Sequence, residues 1–348
     1  MIRQGFLWLI VAMFFTPIDA FAQRGSFDVD RWYSILDNLR SRAINENISD
    51  DVINDVLRTP AFIPSIVKSD KNQAEFKLTL NGYLDKTVSK GRITSGKKMR
   101  AKYPTMLANI EQKYGVPGHI MLAFWGLESN YGAVKSRHKL TDAFLTLMYD
   151  GRRETFFSNQ LIALMKIADD NNLDITNIRG SWAGAMGHFQ FIPTTLAQYG
   201  ADGNGDGRID IINNISDAMH SAGNYLNKLG WDKNERIVRR VVLPADFDVN
   251  LLDGKTKFSL PEWSALGVTN PDGSTIPQTK MIAGLVADVA EIKAQRANSS
   301  DANSPDTDIA PMPVITAYLT YPNFYRIKKW NNSNWYAIAI ANLADNLH

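Results

Sequence analysis

Apolar positions recur at helical spacing through the first third of the chain. Trp32, Ile35, Leu36 and Leu39 fall three or four residues apart and predict a helix. Val52, Ile53 and Val56 repeat the pattern within 47–57, where Ser49 has the side chain to cap a helix start. Pro60 and Pro64 interrupt it, and Met106, Ile110 and Tyr114 resume it. Residues 116–231 are dense in Trp, Gly and other aromatics. Residues 236–243 are rich in Val and read as a strand. Turn signals at Asp253-Gly254 and Asp272-Gly273 then punctuate 244–277, as a small β-containing region would be. The polar Ser/Asp/Pro stretch 298–313 reads as a mobile loop and 335–347 as a closing helix. The expected fold is mainly α (α+β). It has helices over 24–115, a central region over 116–231, a β-containing region over 232–297, the loop 298–313, and a segment 314–348 returning to the helical part.

The extreme N-terminus follows another pattern. Arg3 precedes an unbroken apolar run over 6–15, the size of a signal-peptide core, and Ala20-Phe21-Ala22 supplies a cleavage pattern. A membrane span needs roughly 20 apolar residues, and Asp19 interrupts any extension of this run. Residues 1–22 are therefore expected to be an export signal, and the mature protein periplasmic with no transmembrane segment.

Composition narrows the function classes. The 348 residues, 45% hydrophobic, are ample for more than one core. Lys plus Arg total 38 against 36 Asp plus Glu, so no basic field argues for a nucleic-acid partner. The absence of cysteine excludes disulfides, thiolate metal sites, a cysteine nucleophile and a lipoprotein anchor. No His-Glu-x-x-His pair suggests zinc.

Three segments carry chemistry. The first begins at Val116-Pro117-Gly118 and is apolar on all sides up to Glu128, which predicts a buried helix that Gly132 would end. Burial disfavours the charged form of a carboxyl group, and a proton held near neutral pH is what a general acid needs. The second, 180–193, combines Gly180, Gly184 and Gly187 with Trp182, Phe189 and Phe191. Glycine allows close backbone approach, flat rings suit the C–H faces of sugars, and Gln190 offers an amide. The third, Asp202-Gly203-Asn204-Gly205-Asp206-Gly207-Arg208, matches the front half of an EF-hand loop, with oxygen ligands at positions one, three and five and a backbone carbonyl from Arg208. Asn213 occupies the twelfth position, where a bidentate glutamate is usual, so Asp217 is expected to close the cage around a structural Ca2+.

Taken together, the sequence resembles the membrane-bound lytic murein transglycosylase B family, glycoside hydrolase family 103, in a soluble, signal-cleaved form. The matching pieces are Trp125-Gly126-Leu127-Glu128-Ser129-Asn130-Tyr131-Gly132, Tyr149-Asp150-Gly151-Arg152-Arg153, the 180–193 segment, the calcium-type loop, and Ala222-Gly223-Asn224-Tyr225-Leu226 before Gly230-Trp231. They occur in the family's order over roughly residues 70 to 348.

The resemblance implies a lysozyme-like helical core, an additional helical domain and a small β domain. It further implies cleavage of the MurNAc-GlcNAc β-1,4 bond of peptidoglycan with 1,6-anhydromuramoyl ends. Glu128 matches the catalytic glutamate. Ser129, Ser181, Gln190, Phe189, Tyr83 and Tyr225 match substrate-binding positions, Arg152 and Arg153 match arginines that would meet substrate carboxylates, and Trp330, Asn331 and Tyr336 match a substrate-facing stretch. Trp330 stands where some relatives have tyrosine, which leaves the hydrogen bond of that position open. No cofactor enters such chemistry. Other cell-wall enzymes are conceivable partners. Two alternatives stand beside this reading: a hydrolytic muramidase with Asp142 or Asp150 as second acid, and a non-catalytic, calcium-stiffened murein-binding protein.

Overall fold

The computed structural model describes residues 27–71, 78–134, 136–301 and 314–348. The expected export signal, 1–22, and most of the expected polar loop lie outside these residues. Six helices come first: α1 (Val29–Asn45), α2 (Asp50–Leu57), α3 (Pro64–Lys71), α4 (Leu80–Thr87), α5 (Lys90–Lys102) and α6 (Pro104–Tyr114). Their starts follow the capping chemistry of the sequence. Asp28 accepts the Arg31 amide at the head of α1, Ser49 the Val52 amide at α2, and Ser89 the Arg92 amide at α5. Trp32, Ile35, Leu36 and Leu39 turn inward from α1 as their spacing predicts.

The central region holds α7 (Gly118–Ser129), a two-stranded ribbon of β1 (His138–Lys139) and β2 (Arg179–Gly180), and helices α8 (Leu140–Asp150), α9 (Glu154–Asp170), α10 (Pro193–Tyr199) and α11 (Ile215–Lys228). Helix α7 buries Ile120 through Gly126 without a polar face, because α5, α6, α11 and the C-terminal helix all pack around it. It ends earlier than expected. Asn130, at φ 49, takes the left-handed cap position that the sequence suggested for Gly132, and its amide bonds the Gly126 carbonyl.

The remainder supplies β3 (Val238–Leu243), β4 (Asp253–Ser259), α12 (Leu260–Ala265), β5 (Ile282–Val286), α13 (Val289–Asp301), β6 (Ile315–Thr320), α14 (Pro322–Trp330) and α15 (Asn334–Asp345). The four strands form one antiparallel sheet in the order β3-β6-β5-β4. This sheet has its own apolar core around Val241, Trp263, Leu285 and Leu319, and the Trp263 indole donates to the Ala283 carbonyl at 2.9 Å. Helix α13 continues to Asp301, into the segment expected to be loop. Helix α15 leaves the sheet to pack on α7 and α4 and contributes Ala337, Ile338, Ile340 and Leu343 to the main helical core. No helix among the described residues is long and apolar enough to cross a membrane.

Candidate active site

Glu128 lies in the last turn of α7 and is half-buried. Its Oε1 accepts two hydrogen bonds from the far end of the chain, one from the Trp330 indole at 3.0 Å and one from the Tyr336 hydroxyl at 2.5 Å. The turn between α14 and α15 brings both donors to that oxygen. Ser333 accepts the Tyr336 amide at 3.3 Å, which fixes the start of α15 with the ring pointing inward. Burial, the Glu128 charge and neighbouring Tyr83 all push the Tyr336 hydroxyl well above its ordinary pKa, so it stays protonated and remains a donor. Tyrosine is absent at position 330, but the indole N–H, a donor with no acceptor capacity, supplies a hydrogen bond there.

Aromatic rings extend from this oxygen. Trp330 lies 4.9 Å from Phe124, 5.4 Å from Phe191 and 4.9 Å from Tyr225, and Tyr225 stacks on Tyr199 at 4.5 Å and 26°. Tyr199 was not singled out from the sequence; its position just before Gly200, at the end of a short helix, was the available signal. Burial, then Tyr199, raises the Tyr225 hydroxyl above its ordinary pKa.

In the 180–193 segment, Ser181 Oγ accepts the Ala185 amide at 3.0 Å and Gln190 Nε2 donates to the Gly187 carbonyl at 2.9 Å. Both residues remain half-buried, and Gln190 is held at φ 51. Glycine is required at 184: its φ is 94, and a Cβ there would sit 2.1 Å from Phe144 Cε1. Asn331 follows Trp330 in extended backbone and is half-buried.

Two expected substrate contacts are corrected. Phe189 is 0% exposed, a core ring that no glycan can touch. Ser129 is buried, and its hydroxyl donates to the His188 carbonyl at 2.7 Å and accepts the Gly132 amide at 2.9 Å. It fastens the end of α7 to the 180–193 segment. Arg152 and Arg153 pair with the buried Asp70 of α3, and Arg152 also bonds Asp150 at 2.6 Å, while both arginine side chains stay exposed. The candidate second acids are engaged too. Asp150 pairs with Arg152 and, at 3.7 Å, with Lys71, while Asp142 lies 4.0 Å from Lys139 and accepts the Ala61 amide. Burial raises the Asp142 carboxyl above its ordinary pKa.

The calcium-type loop winds around Asp202, whose Oδ1 accepts the Gly205 amide at 2.6 Å and Oδ2 the Gly207 amide at 2.7 Å. These bonds, Gly207's foremost, hold its carboxyl below the ordinary range. Asp206 accepts the Arg208 amide and Asn204 accepts the Asp206 amide. This front half is a turn of hard oxygens suited to calcium. Asp217 lies beside this turn. It is fully buried, its Oδ1 takes the Gly203 amide and its Oδ2 the Asp210 amide, each at 2.9 Å, so it ties the loop to α11. No three His, Cys, Asp or Glu side chains group as a metal site among the described residues.

A glutamate at the end of an enclosed helix, with donors on one oxygen and aromatic rings alongside, defines a lysozyme-like site. The chain belongs to the family described as Transglycosylase SLT domain, whose model matches residues 31–345. It is 30% identical over 263 residues to membrane-bound lytic murein transglycosylase B of Escherichia coli (strain K12), covering 74% of this chain and 64% of that relative's length. The fold matches SltB3 of Pseudomonas aeruginosa in complex with NAG-NAM-pentapeptide, with a TM-score of 0.79, 31% identity, and coverage of 91% of this chain and 79% of that one. It also matches Escherichia coli lytic transglycosylase Slt35 in complex with calcium, with a TM-score of 0.74, 27% identity, and coverage of 90% and 92%.

Proposed function

We propose that this chain is a lytic transglycosylase that cleaves the MurNAc-GlcNAc β-1,4 bond of peptidoglycan in the periplasm and leaves 1,6-anhydromuramoyl ends. One observation carries the reading: Glu128 Oε1 is taken by Trp330 and Tyr336. Two donors on one oxygen fix the plane of the carboxyl group and leave its proton to Oε2. Ordinary glycosidases place a second carboxylate across the scissile bond. Here the two acids considered for that role, Asp142 and Asp150, are committed to Lys139, Arg152 and Lys71.

In the proposed cycle Glu128 protonates the glycosidic oxygen as the C1–O bond breaks. It then removes the proton of the 6-hydroxyl of the same muramoyl residue, and that oxygen bonds to C1. No water is consumed and Glu128 ends protonated, as it began. Tyr336 and Trp330 stabilise the carboxylate formed between the two transfers. Tyr83, Tyr225, Ser181, Gln190 and Asn331 are the side chains proposed to hold the sugars, with Tyr225 and Trp330 offering ring faces. The peptide-bearing ligand of SltB3 supports a substrate that carries its stem peptides.

Calcium is proposed for the 202–208 loop, held by Asp202, Asn204, Asp206 and the Arg208 carbonyl, with Asp217 closing the cage. It would stiffen the loop and take no part in the chemistry; Asp217 would also support it through the Gly203 and Asp210 amides.

The test is incubation of purified protein with murein sacculi and mass spectrometry of the released sugars. Anhydro ends are expected, and Glu128→Gln should abolish their release while the protein stays folded. Products heavier by one water would establish hydrolysis instead, and binding without release would establish a wall-binding protein.

A further inference from the structure

The turn that carries Trp330 and Tyr336 to Glu128 is short. Helix α14 ends at Trp330 and α15 begins at Asn334, so residues 331–333 set how one helix leaves the other. Within it the Asn331 amide donates to the Ile327 carbonyl at 3.1 Å, and the Ser333 amide to the Asn331 carbonyl at 2.8 Å. A side chain then spans the whole turn. Lys328, in the last turn of α14, donates through Nζ to Oδ1 of Asn334, the first residue of α15, at 2.7 Å. This bond joins the helix that ends in one donor to the helix whose first turn holds the other.

Lys328 is a costly residue in that place. Its side chain is half-buried, its Nζ lies 6.0 Å from the centroid of the Phe324 ring, and it forms no ion pair among the described residues. Burial, and then the charge of Lys255, hold the ammonium below its ordinary pKa, the direction taken by a cation whose charge is disfavoured. An apolar side chain of similar length would fill the position without that desolvation. What the ammonium makes there is a charge-assisted hydrogen bond to Asn334.

We infer that Lys328 is a positioning residue for Glu128, clamping the α14–α15 turn through Asn334 so that the Trp330 and Tyr336 donors reach Oε1 together. The inference rests on the proposed function and deepens it, by tracing the plane of the carboxyl group to a side chain that neither donates to Glu128 Oε1 nor is proposed to hold sugar. The two donors come from different helices, and hydrogen bonds weaken steeply with misalignment, so a change in the angle between the helices weakens one or both. Proton transfer is equally sensitive: a misplacement of about 1 Å that originates away from the chemistry can cost about a hundredfold.

The test begins with Lys328→Met, which keeps most of the side chain and removes the donor. On soluble murein strands kcat should fall roughly ten- to a hundredfold with KM little changed. In a Tyr336→Phe background, where one positioned donor is already gone, the loss should be smaller by at least about twofold. A residue that served packing alone would cost the same factor in both backgrounds. Asn334→Ala removes the acceptor, should act in the same direction, and serves if Lys328→Met does not fold; Asn334→Asp keeps an acceptor and should lose far less. Unchanged kcat in a folded variant, or equal losses in the two backgrounds, overturns the inference. The indole proton of Trp330, assigned by its disappearance in Trp330→Phe, reads the contact without turnover. Its NMR resonance should move upfield in Lys328→Met as the bond to Oε1 weakens, and an unmoved resonance overturns the inference. If the native protein releases no anhydro product, the proposed function fails, and this resonance still decides whether Lys328 positions the donors.

Discussion

The two hydrogen bonds on Glu128 Oε1 set the sharpest expectation. Trp330→Phe removes the indole donor while keeping a ring against Phe124 and Tyr225, and Tyr336→Phe removes one hydroxyl from a buried ring. A hydrogen bond to a charged group contributes about 1.5–3 kcal/mol, and every 1.36 kcal/mol is tenfold in rate. Each single variant should therefore lose roughly ten- to 150-fold in kcat/KM. The donors share one acceptor atom, so their effects should couple, by about 0.5 kcal/mol or more. The double variant should fall short of the product of the two losses by at least about twofold. The assay is release of anhydromuropeptides from sacculi, with melting curves to confirm that each variant is folded. Full activity in either single variant, or strictly multiplicative losses, would refute the claim that the two donors act through one oxygen.

Three further outcomes follow from geometry elsewhere. Asp142→Asn should retain lytic activity and melt higher at neutral pH. Burial raises this carboxyl in the folded state, so the native protein binds more protons there than the unfolded chain, and its charged form costs stability that is regained as pH falls through the folded value. The gain should therefore shrink in acid, and loss of all activity would revive Asp142 as a second acid. Gly184→Ala should melt several degrees lower, since it combines left-handed backbone strain with a clash against Phe144, each costing about 1–3 kcal/mol; an unchanged melting curve would contradict the geometry. Calcium at a hundredfold over its Kd should stabilise the protein by about 2.7 kcal/mol, and a chelator should reverse the shift in a thermal melt. No shift would argue against Asp202, Asn204 and Asp206 as ligands.

The parts legible in the sequence were those set by local physics. Helices α1, α2 and α6 follow from apolar spacing, α2 also from its Ser49 cap, β3 from its valines, and α7 from being apolar on every side. Glu128 stood out because a carboxyl group at the end of such a helix is costly unless something meets it. What meets it lies 202 and 208 residues further along, a distance no periodicity bridges, so Trp330 and Tyr336 entered only through the family resemblance. The misreadings have the same origin. Ser129 looked available because the His188 carbonyl that takes its hydroxyl is 59 residues away. Phe189 looked like a sugar platform because burial of alternate residues in 180–193 is decided by the turn in which Gln190 takes φ 51, and composition does not record that turn.

The same dependence on distant contacts says how the site is made. An acid at a helix end is exposed to water until something covers it, and here the cover is the α14–α15 turn, which follows β6 in the chain, a strand paired with both β3 and β5. Non-local contacts of this span close late, because loop entropy is lost before they repay it. A chain with α7 folded but α15 undocked would carry Glu128 without its two donors, and so without the fixed carboxyl plane on which the proposed proton transfer depends. The proposed catalytic geometry is thus tied to completion of the fold, and damage to the packing of Ala337, Ile340 or Leu343 against the helical core should reach Glu128 through Tyr336 even though all three are fully buried.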